Sequence, residues 1–172
     1  MISELSRIYS ALKQGEEPAL EAPISFREYA REMQAGSLVS REALAYWRQQ
    51  FTEMPPLLDL PTDRARPVVR SARASTRKRL FNVEILQSLK RTAGQQRTTL
   101  VVLLMATLNT LLYRLTGQTD LVIGLGAAGQ AVTDKACLVG HCVNLLPIRI
   151  QLRPESTFQE NLAVTKKLVL DA

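Results

Sequence analysis

Histidine occurs once in this chain, at His141, and cysteine twice, at Cys137 and Cys142. A structural zinc site takes four nitrogen or sulfur ligands, and thiols five positions apart match neither a Cys-x-x-Cys centre nor the framework of a secreted domain. Both thiols therefore read as reduced and structural, and no metal is expected. The longest apolar run, Leu100 to Ala106, is seven residues, against the ~20 that cross a bilayer. It reads as part of a core helix, with no membrane partner. The first residues carry Glu4 and Arg7 in an amphipathic pattern, without the basic start and continuous apolar stretch of a signal peptide, which points to the cytoplasm. No Gly-x-Ser-x-Gly element accompanies the lone imidazole.

What is present is ordinary globular composition: 172 residues, 46% hydrophobic and 22% charged, enough for one domain. The net charge of +6 is local. Arg64, Arg66, Arg70, Arg73, Arg77, Lys78 and Arg79 fall in a stretch with no acid between Asp63 and Glu84; 22 basic residues less these 7 leaves 15, against 16 acidic. The plain reading is a solvated linker and edge strand, whose cations discourage strand-to-strand association. The other reading is attraction to phosphate, on nucleic acid or on another phosphate-bearing partner.

Ile2, Leu5, Ile8, Tyr9 and Leu12 recur at helical spacing and predict an amphipathic helix over residues 2–14, stopped by Gly15. Without an N-cap of its own, it reads as an element entered partway. Ser25-x-x-Glu28 is a capping-box pattern before a short helix ending near Gly36, and Ser40 opens a helix with Leu44, Trp47 and Phe51 on one side. Four prolines between Met54 and Pro67 exclude regular structure. Residues 75–81 read as strand-like, and Asn82 caps a helix through Leu86, Leu89 and Ala93 that Gly94 is expected to end. Thr98 or Thr99 starts the most apolar helix, residues 100–115, ended by Gly117. Apolar on nearly every side, it is predicted to lie buried between layers, so that an aspartate at Leu104 would be strongly destabilising. Residues 121–123 and 143–152 are predicted strands, and Thr157-x-x-Glu160 a second capping box, whose helix turns Phe158, Leu162, Leu168 and Val169 inward. The interleaving predicts an α/β sandwich, with helices against a mixed β-sheet.

Gly124-Leu-Gly126-Ala-Ala-Gly129 satisfies a dinucleotide-binding pattern directly after a strand. Such a site needs a helix to begin inside the motif and an acid about 20 residues on, at the end of the next strand. Residues 130–140 show no helical period, and the next strand carries Asn144 and Arg149 but no acid. Nucleotide binding is therefore not expected, and the glycines read as permitting tight turns and a close backbone approach.

Ile123-Gly124, the small loop Ala127-Ala128-Gly129-Gln130, the segment Gly140-His-Cys-Val143-Asn144 and Arg149 resemble the C-terminal half of a nonribosomal peptide synthetase condensation domain. Tyr46-Trp47, Leu60-Pro-Thr-Asp63-Arg-Ala-Arg-Pro67, Thr99-Leu100 and Leu112-Tyr113-Arg-Leu-Thr-Gly117-Gln-Thr-Asp120 follow the family's order and spacing, so the resemblance covers residues 2 to 172. The family's His-His-x-x-x-Asp-Gly motif does not occur in the sequence. The resemblance implies a chloramphenicol-acetyltransferase-like half-domain: residues 1–172 as a partial domain, the C-terminal lobe, truncated at both ends. It implies amide-bond formation between a thioester donor and an amine acceptor, each tethered to a carrier protein by a phosphopantetheine arm. No cofactor of the chain's own is implied. The implied partners are the donor and acceptor carriers, the N-terminal lobe of the same domain and adjacent synthetase or polyketide modules.

No residue here is a catalytic candidate by this reading, and the chain alone is expected to be inactive. Asn144, His141, Gly124, Gly126 and Gln130 are candidates for the substrate channel, with His141 as a wall residue. Asp63 and Arg149 read as structural charges, and Arg73, Arg77 and Arg79 as candidate contacts to a carrier or its phosphate. Two rivals stand beside the enzyme reading: a non-catalytic module that docks carriers, and a fragment of a coenzyme A-dependent acyltransferase.

Overall fold

The computed structural model describes residues 2–20, 22, 24–36, 40–65, 67–69, 71–128 and 138–172. Gly129 and Gln130 of the small loop, Cys137, and Arg66 and Arg70 of the basic stretch lie outside the described residues. In chain order the elements are α1 (Ile2–Gln14), α2 (Phe26–Gln34), α3 (Arg41–Gln50), α4 (Val83–Gln95), α5 (Leu100–Thr116), β1 (Asp120–Ala128), β2 (Val143–Gln151) and α6 (Phe158–Asp171). They divide into two units, residues 1–40 with 127–144 and residues 41–126 with 145–172.

The second unit is a sheet with helices against it. Asp120 faces Arg149 and Gly124 faces Leu145, so residue numbers rise along one strand as they fall along the other. β1 and β2 are therefore antiparallel, and together they form a two-stranded sheet. Side chains alternate across a pleated strand, and the inward set, Leu121, Ile123 and Leu125 with Leu146, Ile148 and Ile150, packs with Met105, Leu112 and Tyr113 of α5 and Leu168 and Val169 of α6. Trp47 and Leu58 close the same cluster. A second cluster joins the helices to one another through Ala93, Val102, Leu103, Ala106 and Leu162. This is the α/β arrangement that the interleaved pattern predicts.

Local signals fix the helix ends. The N–H groups of Ile85, Val102 and Glu160 donate to the side chains of Asn82, Thr99 and Thr157, and the Thr157–Glu160 capping box is complete. Gly117, at φ +70°, closes α5 in the left-handed conformation that glycine adopts without a Cβ clash.

Four expectations are corrected. Gly94 does not end α4: the helix runs to Gln95, and Arg97 takes the left-handed position at φ 50°, because Thr98 N–H reaches Ala93 O at 2.9 Å across that residue. Residues 75–81 form no strand and lie exposed; an alternating segment becomes a strand only where a neighbouring edge supplies its ladder, and no described strand pairs with it. Phe158 is exposed rather than inward, whereas Leu162 is buried. α5 is buried on one side only: Val102, Leu103, Met105 and Ala106 are sealed, while Leu104 is 44% exposed.

In the first unit, Tyr29 of α2 packs with Leu138 and Cys142. Arg7 donates to Ala19 O at 2.6 Å, tying α1 to the connector that follows it. The apolar stripe of α1, including Ile2, Leu5 and Tyr9, is exposed.

Candidate functional site

Two glycines stand on the outward face of β1. Gly124 and Gly126 alternate with the inward Ile123 and Leu125, and both are exposed. A Cβ built on Gly124 would lie 2.9 Å from Leu145 Cδ1, so a larger residue there must push aside the leucine that β2 leans over the strand. β1 continues to Ala128, so Gly124 and Gly126 lie within a strand, and among the described residues no helix begins at them.

At the other end of the same face, Arg149 bridges three segments of chain. Its Nε donates to Asp120 Oδ1 at 2.9 Å and its Nη2 to Asp120 Oδ2 at 2.7 Å, a paired geometry that a lysine could not reproduce. Its Nη1 donates to the carbonyls of Gln50 at 2.8 Å and Glu53 at 2.9 Å, at and just beyond the end of α3. The guanidinium also lies 5.9 Å from the centre of the Phe51 ring. Hydrogen bonds from Arg149 hold the Asp120 carboxyl below its ordinary range against the opposing effect of burial, and bonding to Asp120 raises the Arg149 pKa.

A groove of about 650 Å³ runs beside this cluster, between the end of α3, the end of β2 and the first turns of α6. Its charges balance, Arg149 and Arg153 against Glu53 and Glu160. Arg149 is committed to Asp120 and two carbonyls, and Glu160 accepts from Thr157 N at 2.7 Å, so the α6 terminus is occupied by the chain's own carboxylate. That bonding from the Thr157 backbone and hydroxyl lowers the Glu160 pKa.

His141 and Asn144 belong to the first unit. The segment 138–144 is pinned by its buried Leu138 and Cys142, which leaves His141 and Asn144 exposed. Gly140 is required by proximity: a Cβ there would overlap the Phe26 ring. Cys142 is a free, buried thiol.

The remaining candidates are dispersed. Arg73, Arg77 and Arg79 are exposed along the irregular segment 71–82, and Asp63 is exposed at a bend in the proline-rich stretch. Among the described residues no group of three or more His, Cys, Asp or Glu side chains could hold a metal ion. Two residues without a role in the sequence analysis prove to be structural ties: Asp120, and Gln118, whose amide accepts from Asp59 N at 2.8 Å and donates to Leu57 O at 2.9 Å. Both lie in the Gly117-Gln-Thr-Asp120 stretch, and an acid opening one strand opposite an arginine near the end of the next is the signal that marks the pair.

The family model of the condensation domain matches residues 1–172. A linear gramicidin synthase subunit of Brevibacillus parabrevis is 37% identical over 99% of the chain, which spans 2% of that protein. Phosphinothricin tripeptide synthetase PhsB of Streptomyces viridochromogenes is 33% identical over the whole chain, which spans 15% of it. Among solved structures, the X-domain from teicoplanin biosynthesis superposes with a TM-score of 0.76 at 26% identity, over 97% of this chain and 39% of its own. The first condensation domain of the CDA synthetase gives 0.68 at 23%, over 97% of this chain and 37% of its own. Among the described residues no single helix is long and apolar enough to cross a membrane.

Proposed function

This chain belongs to the condensation-domain family, and from that premise we propose that it forms part of an amide-forming condensation domain of a nonribosomal peptide synthetase. In that reaction the amine of a downstream aminoacyl group attacks the thioester carbonyl of an upstream aminoacyl or peptidyl group. A carbon–nitrogen bond forms, the carbon–sulfur bond breaks, and the proton lost by the amine accompanies the released thiolate. Both groups hang from phosphopantetheine arms of carrier proteins, and the N-terminal lobe and neighbouring modules complete the machine. The observation that carries the reading is the 37% identity to a linear gramicidin synthase over nearly the whole chain.

Within it, the exposed Asn144 amide orients the acceptor amine or the donor thioester. Gly124 and Gly126 let an extended acyl or pantetheine group approach the β1 backbone. Gln130 joins this group by resemblance alone. His141 is a wall residue. Asp63 and Arg149 act as structural charges, and Arg73, Arg77 and Arg79 meet the phosphate or an acidic carrier surface.

The test uses a full-size condensation domain carrying this segment, with loaded donor and acceptor carriers and dipeptidyl thioester read by intact mass. Asn144→Ala is expected to lower turnover by about tenfold or more with an unchanged thermal midpoint. Unchanged turnover, or an unfolded domain, overturns the role of Asn144. The exposed arginines favour one second reading, a module that docks carriers without chemistry. Supplying the N-terminal lobe to the 172-residue chain in trans separates the two, since product supports the enzyme and carrier binding without product supports the module.

A further inference from the structure

The groove beside Arg149 is left unused by the proposed amide chemistry. Its walls come from the end of α3, the end of β2 and the first turns of α6, all within the second unit. Gly126 stands six positions from Asp120, the residue paired with Arg149, which is about 20 Å along a strand, so the groove is separate from the glycine face. Its volume of about 650 Å³ is that of a small-ligand site. Most such sites are apolar with a few polar groups; here polar groups dominate. Gln50, Ser156 and Asn161 are half-buried in the walls, and among the described residues their side chains form no hydrogen bond. Groups already partly withdrawn from water are the ones that gain most from a bonding partner. The Arg153 guanidinium and the Glu53 carboxylate, at the same groove, likewise form no ion pair among the described residues. A side-chain amide offers a carbonyl acceptor beside N–H donors, the same alternation that a peptide backbone presents. Val164, 45% exposed, and Leu168 add an aliphatic strip. Among the described residues no aromatic ring lines the groove, so a nucleobase finds no stacking platform, and the balance of Arg149 and Arg153 against Glu53 and Glu160 gives a phosphate no advantage.

We propose that this groove binds a short linear peptide with free termini. The peptide backbone bonds to the Gln50 and Asn161 amides, and an aliphatic side chain lies against Val164 and Leu168. Arg153 takes the C-terminal carboxylate, while Glu53 takes the N-terminal ammonium. Glu160 is not available for that role, because its carboxylate accepts from the Thr157 backbone and hydroxyl. Nothing in this site draws on a thioester, an acceptor amine or a carrier, so it goes beyond the condensation chemistry and does not depend on it.

The experiment titrates the isotope-labelled 172-residue chain with alanyl-leucyl-alanine and follows amide resonances by NMR. Saturable shifts are expected at the side-chain amides of Gln50 and Asn161, with a dissociation constant of about 1 mM, the scale of a few net hydrogen bonds. Gln50→Ala together with Asn161→Ala should weaken binding about tenfold. These alanines keep the backbone carbonyls that accept from Arg149 and Thr165, so the fold loses no bond shown here. Arg153→Gln, at an exposed position, supplies a second variant should the alanine pair not fold. It should weaken the free peptide about fivefold and leave the C-terminally amidated peptide unaffected, and Glu53→Gln should do the same for the free and the N-acetylated peptide. No saturable shift at about 10 mM peptide, or binding undiminished by the substitutions, overturns the proposal. Blocked peptides that bind as well as the free one overturn it also, and equal affinity for maltotriose assigns the groove to polyols instead. Since no readout involves carriers or turnover, failure of the condensation reading would leave this site standing, and success there would not rescue it.

Discussion

Arg149 makes four side-chain hydrogen bonds, and its side chain is 8% exposed beside Asp120 at 20%. Its four hydrogen bonds tie both strands to the end of α3, which explains why a charged residue stands near the end of a strand whose neighbours are largely apolar. Because Arg149 holds the Asp120 carboxyl below its ordinary value, the pair stabilises the fold fully above the unfolded carboxylate pKa near roughly pH 4 and loses that contribution as pH falls through the lower folded value. Asp120→Asn should therefore lower the thermal midpoint at neutral pH, and the gap from the parent should close as pH drops below about 4; a gap independent of pH would show that the charge contributes nothing. Asn109 is the opposite kind of residue. It is fully buried in α5, and neither side-chain atom has a hydrogen-bond partner among the described residues. Replacing an unpaired buried amide by an apolar group of similar size removes a desolvation cost of about 1–3 kcal/mol, so Asn109→Leu should raise the midpoint, and a clear decrease would reveal a bonded amide.

Among the elements, those with complete local signals match the sequence reading closely. The predicted helix over 2–14, the Asn82 and Thr99 caps, the Gly117 stop and the Thr157–Glu160 box all appear in the structure, because each depends on side chains within four residues of the backbone group they satisfy. Gly94 fails as a terminator for the same reason read in reverse: the chain reverses three residues later, where Arg97 has a left-handed φ of 50°. A Cβ in that conformation costs about 1 kcal/mol, so Arg97→Gly should stabilise the protein by roughly that amount in chemical denaturation. No gain, or a loss, would mean that the arginine side chain contributes more than its backbone strain. β1 is longer than its apolar run, extending through Gly124, Gly126 and Ala128, since glycine and alanine weaken a strand signal that pairing with β2 restores.

For the molecule as a whole, the strand-like segment 75–81, the stripe of α1 and the outer side of α5 share one property: their sequence asks for a neighbour that the described residues do not provide. Periodicity reports which residues seek an apolar environment and is silent on what supplies it. For that reason the α5 sequence predicts burial on every side, and the structure shows burial on one.

The sequence by itself determined the capped helix starts, the Gly117 stop, the α/β class and, through the spacing of Gly124, Gly140, Asn144 and Arg149, the family, because caps, glycine positions and motif order are properties of short stretches of chain. Only the tertiary structure decided that Arg149 is paired with Asp120, that Gly140 makes room for Phe26, that Gly124 and Gly126 lie within a strand, and that one side of α5 stands open. Each of these joins residues far apart in sequence or depends on what the fold leaves uncovered. Such contacts are set by the packing of elements against one another, which no local window of residues contains.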